Sequence, residues 1–140
     1  MTKPFIQNVS FAALETGRHA SPGNNAILIQ IGDPGSEHPI PKQTFAEVHQ
    51  FQFHDIDRDI EGYVVMTMDD ATQIVDVLKR GLTENLNIIV NCHAGLCRSG
   101  AVAEIGVMMG YEDTNVPRMP NVEVKNKLRY MAFYDTSYEK

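Results

Sequence analysis

Apolar residues recur along the chain with two different periods. "PFIQNVSF" (4–11) and "NAILIQIG" (25–32) are short, dense and β-branched, as strands are. "AALETGRHA", after the first, reads as a short helix or turn. The second run closes on Asp33-Pro34-Gly35, a turn signal, and residues 33–44 are polar and proline-bearing, hence a loop. "QFQFHDI" (50–56) alternates Phe51 and Phe53 with Gln50 and Gln52, the pattern of a half-buried strand.

The period then changes. Thr67 and Asp70 form a capping-box-like pair, and Asp69 and Asp70 suit a helix N-terminus. Ala71, Ile74, Val75 and Leu78 make one apolar face, and Gly81 is expected to end the helix. "NIIV" (87–90) is a short central strand, and residues 99–109 a small-residue helix stopping at Gly110. After "VPRMP", Asn121 caps a last helix with Val124, Leu128 and Met131 on one side. Strands alternating with helices predict a single α/β domain over residues 1–140, with a mostly parallel central sheet flanked by helices. Met68, Met108, Met109 and Met131 read as core filling.

Composition narrows the function classes. The net charge is −6 and the pI about 5.2, so no basic face for nucleic acid is expected. The longest apolar stretch, "GAVAEIGVMMG", is interrupted by Glu104 and is not a membrane span. The start, "MTKPFIQNVSF", lacks the apolar centre of a signal peptide, and the expectation is a cytoplasmic protein. The only two cysteines, Cys92 and Cys97, share one turn with His93. That is neither a structural staple nor a zinc set, and no metal or other cofactor is expected.

That turn, "VNCHAGLCRSG" (90–100), carries the chemistry. Between a strand and a helix, the backbone N–H groups of His93, Ala94, Gly95, Leu96, Cys97 and Arg98 converge on an anion, and the helix adds its dipole. The same field favours a thiolate at Cys92. Arg98 offers a planar fork to two phosphate oxygens, and Gly95 lets the backbone bend. Ser99 can offer its hydroxyl to the sulfur when Cys92 leaves. Together these are the parts for thiolate attack on a phosphate ester. A lone Cys92 would read as an inert buried thiol, but Gly95, Arg98 and Ser99 in register argue against that. Cys97 has an equally good bland reading, as a small residue beneath the loop. His93 reads as a rim residue and His54 as a half-exposed histidine at a strand end.

CHAGLCRS (92–99) resembles the C-x5-R-[ST] signature loop of the cysteine-based protein tyrosine phosphatases, and in particular the small dual-specificity-type branch with its bacterial and phage-like members. "FHDIDRDIEGYVVMTMDDATQIVDVL" (53–78) resembles their Asp-Ile element, loop and capped helix, and "PNVEVKNKL" (120–128) their final helix. The resemblance implies a phosphocysteine intermediate on Cys92 and a carboxylic acid upstream that protonates the leaving oxygen. Asp55 fits that element best, Asp57 comes second, and Asp59 is the third carboxylate of the stretch. It implies phosphotyrosine in proteins or peptides as substrate, extending to phosphoserine and phosphothreonine, with no nucleic-acid or membrane partner. A phosphoinositide or RNA 5′-phosphatase is the rival enzyme, although the loop has no lysine and the chain is acidic. Asn91 stands where the family usually has His, which favours a phosphoprotein-binding pseudophosphatase as the non-enzyme rival. Low-molecular-weight tyrosine phosphatases, of unrelated fold, also place a second Cys before the loop arginine, which suggests Cys92 and Cys97 as a redox pair.

Overall fold

A computed structural model describes residues 3–20 and 25–134. Five strands, β1 (Phe5–Val9), β2 (Ala26–Gly32), β3 (Glu47–Gln52), β4 (Asn87–Asn91) and β5 (Glu112–Asp113), form one sheet in the order β3-β2-β4-β1-β5. Every strand pairing is parallel. The helices are α1 (Phe11–Thr16), α2 (Met68–Glu84), α3 (Arg98–Met109) and α4 (Val122–Arg129), the last running into a π-helical turn, Tyr130–Tyr134. None of the described helices is long and apolar enough to cross a membrane.

Successive strand residues face opposite sides of a sheet, and this alternation divides the core. Ile27, Ile29 and Ile31 of β2 join Ile88 and Val90 of β4 beneath the apolar residues of α2, α3 and α4. Ala26, Leu28 and Ile89 join Leu14 of α1 and Phe45 on the other face. Cys92 follows β4 on the α3 side, in the larger cluster. By the same alternation Asn91 falls on the α1 side, the side of Gln30.

Three boundaries differ from the sequence expectation. The first strand stops at Val9 because the Ser10 side chain accepts from the Ala13 N–H, and Phe11 opens α1 instead. The third strand begins at Glu47 and ends at Gln52, its ladder running from Ile27↔Glu47 to Gly32↔Gln52. It is an edge strand, so its early residues lack the apolar signal that a buried strand shows. Most instructive is Gly81, which does not end its helix. The capping box at Thr67 and Asp70 starts α2 as expected, but α2 continues to Glu84, and left-handed Asn85 ends it. Gly81 makes room for Tyr111, whose hydroxyl donates to the Leu78 carbonyl at 2.7 Å. A Cβ on Gly81 would lie 2.2 Å from that hydroxyl oxygen. Of the four methionines expected in the core, Met131 is buried, but Met68 and Met108 are 40% and 49% exposed; Met66 fills the core instead.

Helix propensity alone favours Ala over Gly by about 0.5–1 kcal/mol. At position 81 overpacking should win, and Gly81→Ala should destabilise the protein by about 1–3 kcal/mol in urea denaturation. The double variant Gly81→Ala/Tyr111→Phe removes the clashing oxygen and should recover part of the loss. A single variant as stable as wild type would contradict the packing account.

Candidate active site

The parallel strands end on one edge of the sheet, and the loop after β4 sits there as a cradle. Gly95 has φ of +75°, and a Cβ would lie 2.5 Å from Ser10 N and from the Val9 carbonyl carbon. Only glycine fits, because the loop rests on the backbone at the end of β1. Four loop carbonyls are taken from outside. His93 O accepts from Phe11 N (3.1 Å), Leu96 O from Met119 N (2.9 Å) and Cys97 O from Asn121 N (3.0 Å). Gly95 O accepts from the side-chain amide of buried Asn8 (2.7 Å), which also donates to Pro117 O. In a planar trans peptide the next N–H points opposite to the carbonyl. Outward carbonyls at 93, 95, 96 and 97 therefore turn the N–H groups of Ala94, Leu96, Cys97 and Arg98 to the other side, an arrangement that can meet an anion.

Cys92, 2% exposed, lies with its sulfur 3.1 Å from the Ser99 hydroxyl, and the Ser99 N–H donates to it at 3.5 Å. Arg98 is 5% exposed. Its Nη1 donates to Asp33 Oδ1 (2.8 Å) and to the Phe53 carbonyl (2.7 Å), while its buried Nε has no partner among the described residues. Cys92 and Arg98 line a pocket of about 330 Å3 together with His93, Cys97, Asp33 and Asp55.

The three candidate carboxylates separate. Asp55 lines the pocket and accepts from the Asn121 side-chain amide at 2.6 Å, and that amide also donates to Ile56 O. Asp57 turns to its neighbour Arg58 at the surface, and Asp59 is exposed away from the pocket. Cys97 is a half-buried free thiol on the pocket wall, hydrogen-bonded to Asp55; burial first, and then that carboxylate, push its pKa up. Cys92 is also a free thiol. His93 and Ala94 are exposed at the rim. His54 accepts from the Val64 N–H through Nδ1 and meets Tyr63 edge-on, which folds the segment between them.

No family model and no curated protein matches the chain. A solved structure does: OH1 from the Orf virus, a tyrosine phosphatase that displays triple substrate specificity, aligns with a TM-score of 0.58 over 95% of this chain and 85% of that one, at 16% identity. The chain therefore shares its fold with that tyrosine phosphatase. The α/β phosphatase-like architecture expected from the sequence is therefore present, although few residues are shared.

Two parts of the site escaped the sequence. Asp33 was legible only as a turn residue, yet it anchors Arg98. Asn121 was legible only as a helix cap. It does accept from Val124 N, and it also ties the loop carbonyl of Cys97 to Asp55 and Ile56. No local signal distinguishes either role.

Gly95→Ala should leave the fold intact by circular dichroism but weaken binding of phosphate or vanadate by at least about tenfold, roughly 1.4 kcal/mol in calorimetry. Unchanged anion affinity would show that the cradle tolerates a side chain there.

Proposed function

We propose that the protein hydrolyses phosphomonoesters through a phosphocysteine intermediate, acting on phosphotyrosine in proteins and extending to phosphoserine and phosphothreonine. The observation that carries this reading is the Nε of Arg98, a buried guanidinium donor with no partner among the described residues, on a side chain that lines the pocket with Cys92. A buried cationic donor left unmet is costly, and a phosphate oxygen meets it. With Nη1 committed to Asp33 and Phe53, the Nε edge is the one that takes the anion.

In the first step the Cys92 thiolate attacks phosphorus and the bond to the leaving oxygen breaks. Asp55 gives that oxygen its proton, while Arg98 and the inward loop amides stabilise the equatorial oxygens. In the second step water attacks the phosphocysteine and Asp55 takes a proton from it. The S–P bond breaks, inorganic phosphate leaves, and the Ser99 hydroxyl supports the departing Cys92 thiolate. Asn121 holds Asp55 at the pocket. Ile56 and Tyr63 give the pocket apolar sides suited to an aromatic leaving group. The acidic chain and the lysine-free loop favour a phosphoprotein over RNA or a phosphoinositide. Cys92, Arg98 and Ser99 standing in register favour an enzyme over a pseudophosphatase.

Cys92→Ser should abolish aryl phosphate turnover while retaining vanadate binding; wild-type-like turnover would sink the covalent mechanism. Asp55→Asn should lower kcat/KM for phenyl phosphate by about 10²-fold or more. It should have little effect on p-nitrophenyl phosphate, whose leaving group needs no early proton. Asn121→Ser keeps a capping oxygen but loses the bond to Asp55, and should show the same leaving-group dependence in weaker form. A loss independent of leaving-group basicity in Asp55→Asn would remove Asp55 from the acid role.

A further inference from the structure

Beside the reaction pocket lies a second cavity of about 260 Å3, and the two share Asp33, His93 and Arg98 as a common wall. It opens between the ends of β2 and β4 on the α1 side, bounded by Phe11, Ile31 and Asn91. Its outer wall, residues 33–39, is built rather than loose. Ser36 N donates to Asp33 O (3.0 Å), Gln52 donates to Ser36 O (2.8 Å), and buried Gln30 donates to Pro39 O (2.8 Å).

The polar lining of this cavity is rich in acceptors. Asn91 is 1% exposed, and its Oδ1 has no partner among the described residues. His38 Nδ1 is likewise buried and without a partner among the described residues, and burial lowers the pKa of the imidazole, which favours its neutral form. Asp33 gives only Oδ1 to Arg98, and Glu37 is exposed without an ion pair among the described residues. The one permanent cation in the wall, Arg98, is already paired with Asp33. Phe11 adds apolar surface, and an aromatic face attracts cations. The two cavities share Arg98 and Asp33, and the second adds Glu37, Asn91 and His38 to that wall.

We propose that this cavity is a specificity subsite for a basic side chain, Arg or Lys, on a residue flanking the phosphorylated one in a peptide substrate. The proposal rests on the phosphatase reading of the neighbouring pocket. An arginine brings five donors to the acceptor set, and its aliphatic stem lies on Phe11. An acidic flanking residue meets Asp33 and Glu37 instead and is repelled.

The test uses phosphotyrosyl peptides carrying Arg, its neutral isostere citrulline, or Glu immediately before and, separately, immediately after the phosphotyrosine. The wild type should prefer Arg over citrulline by about fivefold in kcat/KM at one of the two positions, the upper range for a partly exposed ion pair. Glu should rank last. Glu37→Gln should cut the preference below about twofold and leave phenyl phosphate turnover unchanged. Asp76→Asn removes the same charge from the exposed face of α2 and should leave the preference intact. Arg and citrulline peptides within twofold at both positions, or equal loss of preference in Asp76→Asn, would overturn the subsite. Peptide affinities of Cys92→Ser, measured in parallel, separate the two proposals. Selective binding without wild-type turnover rejects the phosphatase and keeps the subsite, whereas turnover without selectivity does the reverse.

Discussion

Arg98 carries a full positive charge into the interior at the C-terminal edge of the sheet, and much of the surrounding structure serves to keep it there. Removing a guanidinium from water costs several kcal/mol unless its donors are met. Asp33, just after β2, and the Phe53 carbonyl, just after β3, both meet Nη1, while Arg98 itself stands at the start of the helix that follows β4. One side chain therefore holds three strand ends in register with one another. Its Nε is buried without a partner among the described residues, and Arg98 lines the pocket that holds Cys92.

The cradle around that anion is shaped from outside. Its carbonyls are drawn outward by Asn8 from β1, by Phe11 from α1 and by the segment that leads into α4. Asn121 concentrates this coupling. Its backbone N–H fixes Cys97 O, its side-chain amide fixes Asp55 and Ile56, and its side-chain oxygen caps α4. Loop, acid and last helix thus share one residue. Each member restricts the others, which reduces the reorganisation the site must undergo during reaction.

Asp33 works as a divider. It lines both recesses: with Arg98, Cys92 and Asp55 it bounds one, and with Arg98, Glu37 and Asn91 the other. Under the proposed function, a second recess beside the first would discriminate between phosphopeptides in a way that a single phosphate pocket would not, because the phosphate is common to all of them.

The strongest signals in the sequence were local ones. The spacing of Cys92, Gly95, Arg98 and Ser99 depends on one turn between a strand and a helix, so eight consecutive residues identify it. The Thr67–Asp70 capping box and the Asn121 cap are likewise decided within three residues, and both formed as expected. The strand-helix alternation gave the α/β class because hydrophobic period follows from backbone geometry. Tertiary contacts decided the rest. Gly81 ends a helix by its propensities but lies inside one because Tyr111, distant in sequence, packs on it. The edge position of β3 hid its first residues, since an edge strand needs no continuous apolar run. Asp33 became the partner of Arg98, and Asn121 the partner of Asp55, only when the ends of parallel strands came together. The sequence by itself determined which residues could do the chemistry, since that depends on residue type and short spacing. Only the folded sheet decided what holds and surrounds them, because those partners are far apart along the chain and meet through packing alone.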